Sequence, residues 1–281
     1  MNIKPSYDLI IVIFACDTIE KYRLQILKIE DTWAKDVYSR PNIKLLFFLG
    51  EEVVLIKDNY IHLKGVRNDY LSASYKQWYG LKYAYENYDA KFVITAGTDT
   101  FFNIPKLMSI LPYFNHEHDN IIGSINISFN KYEPKNWVKV KSKKFHFIGG
   151  GEGIILTSSS LNKLYPIFCD VNKLMEDWFN ICRSGTSNKI IPTIGKATCD
   201  VALTYFHLLY CNPKGLILDK KYMVDTHSNI VDDNKFISIH PVNLTNFDKY
   251  YETLIKNNHF LEYSIPKEDI KLLNLCKRPI I

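Results

Sequence analysis

Four short stretches of the sequence bring together residue types that could do chemistry. The first is Gly97-Thr98-Asp99-Thr100-Phe101-Phe102-Asn103, one carboxylate in a polar segment behind the apolar run Phe92 to Ala96. Loops at the carboxyl ends of parallel strands are where open α/β sheets take ligands. A carboxylate there can hold a divalent cation, and the cation a diphosphate. An Asp in a strand-end turn also serves as an Asx-turn or helix cap. The second stretch runs from His146 to Leu156 and has four glycines within positions 149–153, with Glu152 among them. Such a run lets backbone approach a ligand closely and adopt positive φ. It lacks the trailing Lys-Ser/Thr of a P-loop, and its spacing is not the dinucleotide fingerprint. A tight surface turn is the plain alternative. The third, Thr198-Cys199-Asp200-Val201, opens a helical pattern that continues to Tyr210. Asp200 is there either a helix cap or a general base. The fourth, Ile237-Ser238-Ile239-His240-Pro241, is an apolar strand presenting one of the chain's eight His immediately before a proline. A lone His can be structural or a ligand.

Positioning these groups requires a scaffold, and the periodicity supplies one. Leu9 to Ala15, Ile43 to Leu49 and Lys91 to Thr95 read as buried strands. Ile19 to Lys35 and Ser72 to Tyr88 have helical periodicity, and Ile104 to Phe114 reads as a short helix with Pro105 near its start. This βαβαβ order predicts a parallel sheet with helices on its faces. In the second half, Ile121 to Ile125, Ile154 to Thr157 and Phe236 to Ile239 read as strands. Ser158 to Phe168, Cys199 to Tyr210 and Asn246 to Asn257 read as helices, with Ser158 to Ser160 as N-cap candidates for the first. No Pro-, Gly- or Ser-rich linker and no internal repeat divides the chain. It reads as one α/β domain over 1–281, made of two joined halves divided at about residue 115.

Composition narrows the class. The 281 residues are 47% hydrophobic and 23% charged, which supports a large core and excludes general disorder. The net charge of +5 is mild. It suits an anionic ligand and not a nucleic-acid surface built on many phosphate contacts. The apolar run Leu9 to Cys16 is eight residues long, far short of the roughly 20 that cross a bilayer. It lacks a basic region before it and a small-residue cleavage site after it, so it reads as a first β-strand and not a signal peptide. With neither an export signal nor an anchor, a cytoplasmic protein with reduced thiols is expected. The six Cys form no C-x-x-C pair, although the spacing of Cys169 and Cys182 would allow a bridge.

Taken in order, these pieces resemble the fringe-like and β-1,3-galactosyltransferase-like glycosyltransferases, glycosyltransferase family thirty-one. Arg23 with Thr32-Trp33 matches the family's Arg, spacer, Thr-Trp helix. Phe47-Phe48-Leu49-Gly50-Glu51-Glu52 is similar to its strand-two Phe-x-x-Gly-Glu-Asp segment. Asn68 to Lys76 is similar to the Asp-x-Tyr-x-Asn-Leu-Thr-x-Lys stretch. Gly97 to Asn103 falls where the family has three aspartates, a hydrophobic pair and Asn. Gly149 to Leu156 matches Gly-Gly-x-Gly-Tyr-x-x-Ser, Cys199-Asp200-Val201 falls on Glu-Asp-Val, and His240-Pro241 on the late Phe-His motif. Seven matches in the right order, from about Asp8 to His240, are far stronger than any one alone.

The resemblance implies a nucleotide-diphospho-sugar transferase type A (GT-A) fold, a Rossmann-like mixed sheet with helices on both faces. It implies a UDP-sugar donor, a divalent cation (usually Mn2+) and inversion at the anomeric carbon. The implied acceptor is a glycan, glycoprotein or glycolipid hydroxyl, which makes residues to about 115 a nucleotide-binding half and those from about 116 an acceptor-binding half; no nucleic-acid partner is expected. Carried onto this sequence, it makes Asp99 and His240 the metal ligands and Asp200 the general base. Ala15, Cys16, Asp17, Thr18 and Arg23 would lie along the nucleotide, with Thr98 beside them and Glu51 and Glu52 near the base or ribose. Lys76 would be a structural or phosphate-side cation, and Gly150 and Gly151 would bring backbone close to the donor sugar. The sequence departs from the family at the first two aspartates, here Gly97 and Thr98, and at the Glu before the base, here Cys199. It also departs in the membrane anchor, so a soluble viral or microbial relative working in the cytosol is expected, with a piece of a longer, lumenal protein as the alternative. Two other functions are carried along: a binding module decayed from this fold, and a nucleotidyltransferase on a similar scaffold.

Overall fold

A computed structural model describes residues 3–69, 72–128, 145–183, 199–211, 214–218, 222–226, 236–256 and 270–274. Strand β1 (Ser6–Phe14) contains Leu9 to Ile13, all buried. Alternate side chains of a strand face opposite sides, so a run apolar at every position needs cover on both. Leu9, Ile11 and Ile13 enter one core, and Ile10 and Val12 the other. Helix α1 (Glu20–Asp31) follows. The periodicity of Ile19 to Lys35 predicts a single helix, but the chain breaks at Thr32 and Trp33 and restarts as α2 (Ala34–Tyr38). Thr32 leaves helical dihedrals, at φ −119 and ψ −111. The break lets the Trp33 ring enter the core, where it packs edge-on against Phe102 at 5.3 Å.

β2 (Ile43–Leu49) and β3 (Tyr60–His62) lie on one side of β1, and α3 (Ala73–Asn87) returns the chain to β4 (Asp89–Gly97) on the other. β1, β2, β3 and β4 are parallel, as the alternation of strands and helices predicts. β1 is therefore a point at which the strand order reverses. Beyond β4 come β5 (Phe101–Phe102) and α4 (Ile104–Ile110), capped by the Asn103 side chain, which accepts the Lys106 N–H. The helix expected as far as Phe114 tightens instead into a 3-10 turn over Leu111–Tyr113. Pro112 supplies the reason, having no N–H for a helical bond and a ring that crowds the preceding turn.

The second half contributes β6 (Ile121–Gly123), β7 (Ile125–Ser128), β8 (Phe145–Ile148), β9 (Ile154–Thr157) and α5 (Ser158–Phe168). The strand expected at Ile121 to Ile125 is thus two, separated at Ser124. After them come α6 (Val171–Arg183), α7 (Cys199–Tyr210), β10 (Lys214–Leu218), β11 (Met223–Asp225), β12 (Ser238–His240), α8 (Leu244–Lys256) and β13 (Ile270–Asn274). The cap of α5 is Thr157, whose hydroxyl accepts the Ser160 N–H, and not Ser158 to Ser160, which are already helical. Thr157 ends β9 with the extended backbone that an N-cap needs.

Eight strands form one mixed sheet in the order β13-β10-β6-β9-β4-β1-β2-β3, with β9 antiparallel to both neighbours. Helices α1, α2, α4 and α8 cover one face, and α3, α5, α6 and α7 the other. Two small sheets accompany it, β11-β12-β5 and β7-β8. Cys169 is a free thiol, so the bridge that its spacing would allow is not formed. No helix among the described residues is long and apolar enough to cross a membrane.

Candidate active site

A cavity of about 290 Å³ opens at the carboxyl ends of β1 and β4. Open α/β sheets bind ligands where strand order reverses, and this is that place. Its walls include Ala15 and Cys16 after β1, Lys76 and Ala73 on α3, and Thr98 and Asp99 after β4.

Asp99 meets His240 through strand register. Phe101 and Phe102 of β5 pair antiparallel with Ile239 and Ser238 of β12. The residues just before β5 therefore lie against those just after β12. Asp99 O accepts the Val242 N–H at 2.8 Å, and Asp99 Oδ1 lies 3.5 Å from His240 Nε2. Burial pushes the Asp99 pKa up, but pairing with His240 outweighs it and holds the carboxyl below its ordinary value. Burial pulls the His240 imidazole down, and Asp99 more than offsets this, so its pKa is raised.

The glycine run forms the turn between β8 and β9. Gly153 donates to Gly150 O at 3.2 Å and takes φ +98, open to glycine at little cost. Thr100 Oγ1 donates to Gly151 O at 2.7 Å, tying this turn to the Asp99 turn. A Cβ on Gly151 would sit 2.2 Å from His240 Nδ1, and one on Gly150 2.8 Å from the Asp200 Cβ. Both glycines are thus where backbone must press against the candidate ligand and the candidate base.

Asp200 lies in the first turn of α7 and accepts the N–H of Gly150 at 3.2 Å and of Val201 at 2.8 Å. Thr204 on the same helix accepts the Ile148 N–H, docking α7 onto β8. Burial pushes the Asp200 pKa up, against the pull of those two backbone N–H groups. Thr198, which precedes this helix, lies outside the described residues. Glu152, at the apex of the glycine turn, is buried, and its pKa is raised by burial, with Asp225 and Asp200 adding to the rise.

Of the remaining predicted residues, Ala15, Cys16, Lys76 and Thr98 line the cavity, whereas Asp17, Thr18, Arg23, Glu51 and Glu52 are not among its lining residues. Lys76 is buried and donates to Ala15 O at 2.6 Å and to Asn68 Oδ1 at 3.1 Å. Burial pulls its pKa down, opposed by Cys16, Asp69 and Asp17. Thr98 Oγ1 donates to Gln25 Oε1 at 2.7 Å, fixing the Asp99 turn to α1. Arg23 donates to Asp17 O, and Thr18 Oγ1 lies 3.6 Å from Cys16 Sγ. Asp17 is fully buried, and its Oδ2 accepts the N–H groups of both Val54 and Leu55 at 2.9 Å. Asn68 bridges the same segment, donating to Asp17 Oδ1 and Glu52 O and accepting from Gly50. Glu51 is exposed and accepts the Gly65 N–H. Sequence reasoning assigned no role to Asn68 or Gln25; each is a single polar residue that acquires a partner only through the fold.

A family model described as Fringe, Fringe-like, matches residues 6–184, more than half of the chain. The chain belongs to the Fringe-like family. The fringe-like glycosyltransferase resemblance drawn from the sequence is borne out, and the chain has the mixed α/β sheet with helices on both faces that the resemblance implies. The Fringe-like match includes Asp99 and the glycine turn and ends before Asp200 and His240. No curated protein matches the chain. Among solved structures, a complex of the galactosyltransferase LgtC with donor and acceptor sugar analogues has 13% identity and a TM-score of 0.46, covering 92% of this chain and 98% of that one. An active-site mutant of LgtC has 12% identity, a TM-score of 0.45 and the same coverage. The inositol-1-phosphate CTP transferase from T. maritima has 8% identity and a TM-score of 0.30, over 57% of this chain and 74% of that one.

The donor set in this Fringe-like chain fits a divalent cation of one kind. No cluster of three or more His, Cys, Asp or Glu among the described residues could hold a metal by itself. Asp99 and His240 offer one carboxylate and one imidazole, each side chain partly exposed. Two protein ligands leave most positions of a six-coordinate ion for phosphate oxygens and water, the arrangement of a cation that arrives with a diphosphate.

Proposed function

We propose that this chain is an inverting glycosyltransferase that moves a hexose or N-acetylhexosamine from a UDP-sugar to a hydroxyl of a glycan, glycoprotein or glycolipid. The linkage is β-1,3 and the cation Mn2+, as the sequence resemblance implies. One observation carries this reading: Asp99, His240, the glycine turn and Asp200 form a continuous line of contacts leading out of the cavity at the sheet's reversal point. Asp99 and His240 hold the cation, which when bound neutralises charge on the diphosphate. Ala15, Cys16 and Thr98 line the nucleotide end, and Lys76 fixes the Ala15 carbonyl.

Asp200 takes the proton from the acceptor hydroxyl. The acceptor oxygen bonds to C1 of the donor sugar as the C1–O bond to the diphosphate breaks, and UDP leaves on the opposite face. A base works best with a pKa near the operating pH, and burial moves Asp200 in that direction. We assign the whole chain to one glycosyltransferase domain, because β9 from the second half pairs directly with β4 from the first.

The test is a UDP-release screen over UDP-glucose, UDP-galactose and their N-acetylamino forms, with and without Mn2+. The expected result is Mn2+-dependent release of UDP from one of them, abolished by Asp99→Ala. Release of pyrophosphate would identify a nucleotidyltransferase instead. UDP binding indifferent to Mn2+, with no turnover on any donor, would identify a binding module.

A further inference from the structure

The glycine turn carries one side chain that this reading leaves without a task. Glu152 is only 2% exposed. Among the described residues, its carboxylate meets no hydrogen-bond donor beyond its own backbone N–H. A carboxylate has about four acceptor sites, which a ligand's hydroxyls can fill. Its charged neighbours are His240, Asp225 and Asp200. The turn it crowns is held at Gly151 against His240 and at Gly150 against Asp200. Glu152 therefore belongs to the interval between the diphosphate end and the base.

Only one part of the reacting pair spans that interval, the donor sugar, which joins the diphosphate to the carbon under attack. Hexose hydroxyls are what a buried carboxylate lacks: neutral donors, two of which one carboxylate can accept together. With Asp200 and Asp225 already beside it, a second negative group at this place would be repelled. We infer that Glu152 is the donor-recognition residue, accepting hydroxyls of a neutral hexose and rejecting uronic-acid donors. The inference rests on the glycosyltransferase reading above and deepens it.

The experiment is calorimetry with Mn2+ on the full chain and on its Glu152→Gln and Glu152→Ala variants. The probes are UDP alone, UDP-glucose, UDP-galactose, their N-acetylamino forms and UDP-glucuronate. UDP serves as the control for folding, because it lacks the sugar. The expected result is UDP affinity unchanged in all three proteins, with the best neutral donor weakened about tenfold or more in Glu152→Ala. UDP-glucuronate should bind the wild type at least about tenfold more weakly than the best neutral donor, and that gap should narrow in both variants. Equal affinity of wild type and variants for every UDP-sugar would overturn the inference and leave the enzyme reading intact. Loss of UDP and UDP-sugar by the same factor would also overturn it, making Glu152 a structural residue. A wild type that binds neither UDP nor any UDP-sugar would overturn the glycosyltransferase reading, and the inference with it.

Discussion

At the scale of single residues, the chemistry depends on groups whose types were legible in the sequence and whose partners were not. Asp200→Asn should lower turnover by about 10²–10⁴-fold while leaving UDP affinity in place, measured by UDP release and calorimetry. Turnover near wild type would remove Asp200 from the role of base. Gly151→Ala should weaken Mn2+ binding and lower stability by about 1–3 kcal/mol, because its Cβ would overlap the His240 ring. A Mn2+ titration and a denaturant curve check the two halves of that statement. Asp99 and His240 each stood out from local pattern alone, a carboxylate after a strand and a His before a proline. Their pairing did not, because it is made by the register of β5 against β12 across about half of the chain's length. Glu152 was visible as an acid inside a glycine run, but that it meets, among the described residues, no donor besides its own backbone N–H is a property of the folded turn.

At the scale of elements, strands carrying an apolar run could be read, the short β9 and β12 included, and the two-residue β5 could not. β1, β2 and β4 announce themselves by unbroken apolar runs that need cover on two faces. β5, two residues long, is too short for periodicity to identify and exists because it pairs with β12, whose apolar run Phe236 to Ile239 does read as a strand although the strand itself covers Ser238–His240. The break between α1 and α2 is equally invisible, since the Trp33 that causes it fits a helical pattern as well as it fits the core. The segment around 50–55 has no regular structure, yet the buried Asp17 carboxylate holds two of its N–H groups. Asp17→Ala should cost about 1–3 kcal/mol by leaving those donors unpaired. Hydrogen exchange should show faster exchange at Val54 and Leu55, with the β1 amides unchanged. Equal protection in both proteins would mean that the segment is held by something else.

At the scale of the whole molecule, acid stability has an identifiable contributor about two turns along α7 from Asp200. His207 is fully buried on α7, with Nε2 3.0 Å from Ser160 Oγ and, among the described residues, no partner for Nδ1. Burial holds its pKa at about 3, below the ordinary value of 6.5. The unfolded chain therefore takes up this proton first as the pH falls. The stability contributed by His207 is complete above about pH 6.5 and is lost progressively as pH falls toward about 3. Urea unfolding should show a midpoint that declines from pH 7 to pH 4.5, and His207→Gln should flatten that decline. An equal decline in the variant would place the acid sensitivity elsewhere.

The antiparallel meeting of β5 and β12 also has a consequence in time. A ribosome delivers the chain from its N-terminus, so the cavity wall and Asp99 emerge well before Asp200, and His240 comes later still. A nascent chain halted near the end of α6 has made the glycine turn and the four parallel strands, but neither the base nor the second metal ligand. The catalyst is completed only when the last fifth of the polypeptide folds back onto a turn synthesised long before it.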